Sequence, residues 1–369
     1  MNSLLFWIIE CLPFVKRIFY WDDYLYFVFN YLPALLALRP RIDYKYLSLY
    51  ALIGVFFIIG NVTFGTATLY FVGLLPLLCK AQFDRVSFQG LFQKFYYIPA
   101  IIVIYALFQY LFGYSSFEIG WINSERGKTS AAGLFLLGDN IRPFSMLAGI
   151  PEFSFFICLL FYHEYYLRRN LIFANFAILI LFSMGSRGVA VGLFCAMLVF
   201  SGANRFSKPV RFVLVSSLGV FSYIILISME LILRSFETDS SRMLVYGTFG
   251  ERVEILRDFF EHADFYSILV GVGLPWRTFD NIYISVLNDF GLLGFVILIY
   301  LLYVGVKDHK SEFAIYIAMI YGMYADFVHS FFFMHLLGMM LYTKNTLSRN
   351  FKVDNKQKEE LVTRADSGV

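Results

Sequence analysis

Three arginines, Arg142, Arg187 and Arg252, are the residues whose type and surroundings point most directly to chemistry. Arg187 lies in a Gly-Ser-Arg-Gly turn between two apolar stretches, 171–184 and 189–200, which places it at or near the edge of a bilayer. A guanidinium at the centre of a membrane helix costs about 2.5–3.5 kcal/mol by insertion scales and is normally retained for a function. Its planar fork of donors fits a phosphate or a carboxylate.

The other two arginines have comparable settings. Arg142 is followed by Pro143, which suits the first turn of a span, and Arg252 lies at the start of a predicted helix whose N-terminus favours an anion. An ion pair with a nearby acid, or a side chain reaching the interface, would explain each arginine singly. Three of them on one side, each with Gly or Pro nearby, favour a shared anion site.

The anion expected at such a site is amphiphilic, because the site opens at the membrane surface. A polyprenyl pyrophosphate fits, since its tail lies in the bilayer and guanidiniums bind its charged head by bidentate hydrogen bonds. The same cations would stabilise charge on a departing pyrophosphate. The sequence has no Asp-x-Asp motif, no His/Cys ligand cluster and no phosphate-binding Gly-rich loop, so we expect no metal, no cofactor and no nucleotide sugar.

A reaction that transfers a glycosyl group from such a pyrophosphate to a hydroxyl acceptor also needs a second group. This group takes the proton of the acceptor hydroxyl. The candidates are Asp280, Glu254, Glu251 and His262, of which His262 is expected on a solvated face. Asp280 precedes the point where the chain re-enters the membrane, and burial there would raise the pKa of its carboxyl. Asp280 is interpreted either as this base or as the cap of the helix that starts near Asn281, and the two roles are compatible.

Asp326 and His329 are two further ionisable residues, near the last apolar hairpin. Their spacing of three residues would bring them together on one face of a helix. They are interpreted as a paired structural feature, with a proton relay as the alternative.

Composition identifies the class of protein. Apolar residues make up 59% of the 369 residues and charged residues 15%, against about 25% charged in an ordinary soluble domain. Runs such as 95–112, 212–233 and 283–304 are long enough to cross about 30 Å of hydrocarbon. They do not alternate as the strands of a membrane barrel would. The sequence therefore predicts an all-α, polytopic membrane protein, in which the four cysteines serve packing.

We predict about twelve transmembrane helices in one domain, 1–343, followed by a polar tail, 344–369. The first is interpreted as a retained span and not as a signal peptide. The segments are 4–19, 22–38, 46–60, 65–79, 95–113, 143–163, 171–184, 188–203, 212–233, 282–305, 312–326 and 328–343.

With this count, five clusters of Lys and Arg in short loops fall on the same side as both termini. They are interpreted as cytoplasmic anchors and not as nucleic-acid patches. Two long loops, about 114–142 and 234–281, fall on the outer side. The second contains helical periodicity over 251–265, which predicts a short amphipathic helix over the membrane face.

Several short motifs, in order, resemble those of bacterial O-antigen polymerases and ligases. The Ser-Arg-Gly at Arg187 matches one signature of that family, and Gly-Glu-Arg at Arg252 matches its outer loop. A Gly-Val-Gly turn at 271–273, an Asp-Asn pair at 280–281 and Gly-Leu-Leu-Gly at 291–294 follow in the family's order. The segment around Arg142 matches the preceding motif less closely, and the resemblance covers roughly 140–305.

The resemblance implies a C-type glycosyltransferase-like membrane fold. It implies transfer of a glycan linked to undecaprenyl pyrophosphate on the periplasmic face of the bacterial inner membrane. Arg187 and Arg252 would bind the donor pyrophosphate with Arg142, and Asp280 or Glu254 would act on the acceptor. The partners implied are the lipid-linked oligosaccharide, membrane lipid and a chain-length regulator protein, with no nucleic acid.

Polymerase is favoured over ligase, because ligases of this family carry a histidine where this chain has Asp280. A ligase that transfers the finished chain to lipid A–core is the nearest alternative. A flippase for lipid-linked oligosaccharides is the alternative of another class. A flippase should have cationic residues along a central cavity and no large one-sided loop, which is the opposite of the distribution in this sequence.

Overall fold

The structure, a computed structural model, describes residues 3–19, 41–59, 62–80, 83, 86–123, 136–137, 140–183, 187–201, 206–236, 257, 259, 261, 264–271 and 281–344. This part of the chain is helical apart from its turns and one pair of two-residue strands. The all-α class predicted from the sequence is therefore confirmed. The predicted segment 22–38 lies outside the described residues.

The helices, numbered along the chain, are α1 (Ser3–Phe19), α2 (Tyr44–Ile58), α3 (Phe64–Leu78), α4 (Phe88–Lys94), α5 (Tyr97–Phe112), α6 (Ser116–Asn123), α7 (Ile150–Tyr162), α8 (Leu171–Ser183), α9 (Arg187–Ser201), α10 (Lys208–Phe236), α11 (Phe265–Val270), α12 (Ile282–Gly305), α13 (His309–Tyr321) and α14 (Phe331–Tyr342). The strands are β1 (Leu136–Leu137) and β2 (Asn140–Ile141), which pair antiparallel, and a π-helical turn, His163–Leu167, follows α7.

Two of the described helices, α10 and α12, are long and apolar enough to cross a membrane. A third span exists if α4 and α5 are taken together, although they meet at an angle of 72°. Several shorter apolar helices expose large side chains, such as Ile172 on α8 and Ile58 on α2. An apolar outer surface of this kind suits contact with lipid.

The two predicted long loops contain structure of their own. The first, 114–142, contains α6 and the β1–β2 pair. Within the second, 234–281, α10 continues to Phe236, and helical conformation is found at Arg257, Phe259 and Glu261. The short α11 completes it and packs against α12. Most of the predicted amphipathic helix, 251–265, lies outside the described residues.

Helices α13 and α14 form the centre of the bundle, and every residue of α13 from Lys310 to Tyr321 is buried. Helix α9 packs against α13 through Gly192, where an added Cβ would lie 3.2 Å from the Ile317 carbonyl oxygen. Cys79, Cys158 and Cys195 are buried and Cys11 is partly buried, as expected for packing residues. The centre is thus formed by the C-terminal hairpin, around which the other helices pack.

Two basic residues in the first turn of α10 contact the connection between α12 and α13 and the start of α13. Lys208 donates to the Val306 carbonyl oxygen at 2.5 Å, and Arg211 forms a forked ion pair with Glu312, at 2.6 and 3.1 Å. Both belong to one of the five basic clusters that the sequence predicts on one side of the membrane. Their contacts place them at one end of the bundle.

Candidate functional site

The first turn of α9, which begins at Arg187, is pressed against the connection between α13 and α14. We call this connection, residues 322–330, the α13–α14 turn. An added Cβ at Gly188 would lie 2.7 Å from both Cβ and Cγ of Tyr324. Glycine is therefore required here for the close approach of the two segments. The described structure gives the backbone position of Arg187 and nothing of its side chain.

The start of α12 is bonded to the same turn. The Asn281 side chain accepts hydrogen bonds from the backbone N–H groups of Tyr283 (3.0 Å) and Ile284 (3.2 Å), and it donates to the Met323 carbonyl oxygen at 3.2 Å. The Ile282 N–H donates to the Gly322 carbonyl oxygen at 2.9 Å. Asn281 is therefore the cap of α12, and the cap role considered for Asp280 is not needed.

The α13–α14 turn thus joins two segments that the sequence singled out, the Ser-Arg-Gly at Arg187 and the Asp-Asn pair at 280–281. Arg252, Glu254 and Asp280 lie outside the described residues, as do Glu251 and His262. The gathering of three guanidiniums around one ligand therefore stays a prediction. The structure adds that Gly188 lies against the Tyr324 side chain. On the same turn, the Asn281 side chain and the Ile282 N–H bond to the carbonyl oxygens of residues 323 and 322.

Arg142 lies in the segment between β2 and α7, and not in the first turn of a span. The expectation for Pro143 was wrong: α7 begins at Ile150, and Pro151 occupies its first turn. The Tyr114 hydroxyl donates to the Arg142 carbonyl oxygen at 2.8 Å. Burial raises the pKa of Tyr114, so this hydroxyl stays protonated and keeps donating.

A buried polar network explains why helix α7 starts late. The Gln109 side-chain oxygen accepts hydrogen bonds from the backbone N–H groups of Phe144 (3.1 Å) and Ser145 (2.7 Å). These two buried donors therefore have a partner without forming part of a helix. Ser145 has a backbone φ of 56°, a left-handed conformation that helices do not contain. Gln109 on α5 therefore holds the segment after Arg142 in an irregular conformation.

Arg17 completes this network and was not identified as important from the sequence. Its guanidinium donates to the carbonyl oxygens of Ser145 (3.1 Å) and Leu147 (2.5 Å) and lies over the Phe144 ring, 4.3 Å from its centroid. It also pairs with Glu118 at 3.6 Å. The available signal was its position, a basic residue at the end of the first span opposite to the basic clusters. Arg17 has a structural role in positioning the segment that contains Arg142.

The predicted pairing of Asp326 with His329 near the last hairpin is confirmed, but the expectation that they lie on one helix face was wrong. The His329 Nδ1 lies 3.1 Å from Asp326 Oδ2. Both residues lie in the α13–α14 turn, because α13 ends at Tyr321 and α14 begins at Phe331. The sequence had placed them in or beside two almost continuous helices.

A second carboxylate that the sequence analysis missed lies beside this pair. Asp289, on α12, accepts hydrogen bonds from the Tyr70 hydroxyl (2.9 Å) and from the Asn288 side-chain amide (2.8 Å). The Tyr70 ring in turn packs edge-on against the His329 ring, with centroids 4.4 Å apart. Tyr70 and Asp289 are 219 residues apart, so only the fold reveals this cluster.

Helix α12 is broken where Asp289 lies. Gly291 has a φ of 62°, and an added Cβ there would overlap the backbone of Leu269 in α11. Gly271 has a φ of 105°, and an added Cβ would lie 2.8 Å from the Asp289 carbonyl carbon. Gly271 and Gly291, the first residues of the Gly-Val-Gly and Gly-Leu-Leu-Gly motifs, therefore allow α11 to lie in the bend of α12.

Within the described residues, no group of three His, Cys, Asp or Glu side chains is placed to hold a metal ion. Comparison of the chain with protein-family models, with curated proteins and with solved structures found no match.

Proposed function

We propose that this chain is a polymerase of a surface polysaccharide, such as an O-antigen, in the bacterial inner membrane. It joins oligosaccharide repeat units carried on undecaprenyl pyrophosphate at the periplasmic face and releases undecaprenyl pyrophosphate. The observation that supports this most is the contact of the α13–α14 turn with Gly188 and with Asn281. This contact brings the segment next to Arg187 close to the segment next to Asp280. Both residues are assigned to the reaction from the sequence.

In the proposed reaction, Arg187 and Arg252 bind the donor pyrophosphate, with Arg142 as a third cation. Guanidiniums suit this role because they offer paired donors and keep their charge at any relevant pH. As the bond from the anomeric carbon to the pyrophosphate breaks, the negative charge on the leaving group increases, and the arginines stabilise it. Asp280 or Glu254 orients the acceptor hydroxyl.

The test is complementation of a strain that lacks the chain. We expect that strain to make surface glycan of single repeat units, and the wild-type chain to restore long polymer. Arg187→Ala and Arg252→Ala should insert in the membrane at normal levels and restore only single repeats. Arg168→Ala is the matched control, since Arg168 is half exposed and pairs with Glu164 at 3.5 Å, and it should restore long polymer.

Other phenotypes of the deletion strain would contradict the proposal. Long polymer not attached to lipid A–core would indicate a ligase. Accumulation of lipid-linked repeat units on the cytoplasmic face would indicate a flippase. Normal chain lengths with both arginine variants would remove the assigned site. Elongation of purified lipid-linked repeats by the purified protein in metal-free detergent gives the direct measurement.

A further inference from the structure

We propose that the α13–α14 turn binds the acceptor sugar and that His329 is the base that removes the proton from its attacking hydroxyl. The proposal rests on the polymerase function proposed above and names a catalytic residue for it. It replaces Asp280 and Glu254 as the proton acceptor.

The first observation is how the His329 ring is held. Asp326 Oδ2 lies 3.1 Å from His329 Nδ1, so the carboxylate fixes a proton on Nδ1 and leaves the lone pair on Nε2. That Nε2 atom is shielded from solvent and has no hydrogen-bonding partner in the described structure. A histidine oriented by a carboxylate through one nitrogen, with the other nitrogen free, is the arrangement that general-base catalysis uses.

The ring is also fixed from the side of α3. The Tyr70 ring packs against it edge-on, and the Tyr70 hydroxyl is directed to Asp289 on α12. Gly73, one turn further along α3, has no room for a Cβ, because the Val328 carbonyl oxygen occupies that space. The base therefore lies in a turn that packs against α3, which fixes its ring at a defined angle to a substrate.

Three acceptor atoms in the cluster that links His329, Asp326, Tyr70, Asp289 and Asn288 have no partner in the described structure. They are the Nε2 of His329, the Oδ1 of Asp326 and the Oδ1 of Asn288, whose residue is 1% exposed. Buried polar atoms in native proteins almost always have partners, so three within one linked cluster require an explanation. A ligand that presents several O–H donors satisfies them, and a glycan does so. A pyrophosphate has no hydrogen-bond donors, and the carboxylates of Asp326 and Asp289 would repel its negative charge.

The α13–α14 turn also lies close to the proposed donor site, as a reaction between two substrates requires. Tyr324, five residues before His329, contacts Gly188, next to the proposed pyrophosphate-binding Arg187. The acceptor subsite and the donor subsite would thus lie on two parts of one turn. Cations bind the donor head and acceptors bind the incoming sugar, so charge keeps the two substrates in their own subsites.

These groups account for the proton, the new bond and the leaving group of the chemical step. The acceptor O–H gives its proton to His329 Nε2, and the acceptor oxygen forms a bond to the anomeric carbon of the donor glycan. The bond between that carbon and the pyrophosphate oxygen breaks, and its electron pair leaves with the lipid pyrophosphate. The imidazolium, stabilised by Asp326, then releases its proton to water. Asp326 is a positioning residue in this scheme.

The first test uses purified full-length protein in detergent and lipid-linked repeats isolated from the deletion strain. His329→Gln should lower kcat by about 100- to 10,000-fold, the usual contribution of a general base, with KM for the donor little changed. Asp326→Asn should lower kcat by a smaller factor, again with little change in KM. His309→Gln is the matched control; that histidine bonds to Tyr162 at the basic end of the bundle and should leave kcat unchanged.

The second test separates chemistry from packing. His329→Ala should regain activity when imidazole is added, and should not when pyrazole is added, since pyrazole has the same ring size but is a far weaker base. Equal rescue by both would overturn the proposal, because the ring would then only fill space. Wild-type kcat in His329→Gln would overturn it too, and would leave the polymerase function standing. If the wild-type protein fails to elongate the repeats, the polymerase function itself is wrong.

Discussion

The Arg17 guanidinium lies 3.6 Å from the Glu118 carboxylate, and both side chains are almost completely buried, at 1% and 0% exposure. The pair joins α1 to α6, and each partner has further bonds. Glu118 also accepts from Gln109 (2.6 Å) and from the Ser115 N–H and hydroxyl (3.0 and 2.7 Å). A charge this well enclosed depends on its partner, because water cannot replace the lost interaction.

We therefore expect Glu118→Gln to destabilise the protein strongly. Removal of one partner of a buried ion pair costs about 3–5 kcal/mol, since the other charge stays buried. The measurement is the midpoint of thermal unfolding in detergent, followed by tryptophan fluorescence. Arg257→Ala breaks a pair with Glu261 of the same kind at 3.6 Å, but both side chains are mostly exposed, so its midpoint should not move. Equal midpoints for wild type and Glu118→Gln would refute the structural role of Arg17.

Gly188→Ala should disturb the contact between α9 and the α13–α14 turn. The added Cβ would meet the near end of the Tyr324 side chain at 2.7 Å, where rotation about the side-chain bonds cannot give room. Overpacking of this kind costs about 1–3 kcal/mol. Because Arg187 is the adjacent residue, polymer length in the complemented strain should fall together with stability.

The control for this substitution is Gly54→Ala in α2, where an added Cβ meets nothing within 4 Å. It should leave polymer length unchanged and keep or raise the unfolding midpoint, because alanine favours the helix. Long polymer and an unchanged midpoint in Gly188→Ala would show that α9 and the turn are not in close contact.

Long apolar runs with clear ends could be predicted from the sequence. The segment predicted at 282–305 coincides with α12, since Asn281 caps it, and the segment at 95–113 differs from α5 by only one or two residues at each end. The bend of 72° between α4 and α5 could not be predicted, because the apolar pattern continues across it. Hydrophobicity shows which residues avoid water and gives little information on helix direction.

The candidate site was predictable only where its residues are neighbours in the sequence. The pairing of Asp326 with His329 followed from their spacing, and the motif glycines indicated close packing. The Tyr70–Asp289 hydrogen bond and the Gln109 contacts to 144–145 join distant segments, and no local pattern signals them. The late start of α7 follows from Gln109, so the misplacement of Pro143 has the same origin.

Asp43, which precedes α2, should make stability depend on pH. Burial alone raises the pKa of its carboxyl, but the Lys45 N–H and the Lys80 ammonium, at 3.2 and 3.1 Å, outweigh burial and hold the pKa below its usual value. A depressed carboxyl pKa gives stability that is present above the unfolded-state pKa, about 3.9, and is lost as pH falls through the folded-state pKa.

Asp43→Asn should therefore lower the unfolding midpoint at neutral pH and approach the wild-type midpoint in acid, where the carboxyl is protonated in both states. Asparagine keeps the helix cap, so the difference reports on the charge. Because Lys80 is partly exposed, the loss should be within about 0.2–1 kcal/mol. Lys80→Met should give a similar loss, and the double variant should lose no more than either single variant. A difference independent of pH would contradict the ion pair.

Arg187→Lys and Arg252→Lys test whether guanidinium geometry, and not charge alone, is used at the proposed pyrophosphate site. Lysine keeps the positive charge but loses the planar fork that bonds two oxygens at once. Loss of one charge-assisted hydrogen bond of about 1.5–3 kcal/mol corresponds to a decrease of roughly 10- to 150-fold in kcat/KM for the lipid-linked donor. Elongation kinetics with the purified variants give this value, and Arg168→Lys is the control that should match wild type. Wild-type kinetics in both lysine variants would mean that these arginines contribute only a diffuse positive charge, and the assignment of a bound pyrophosphate head would then have to be abandoned.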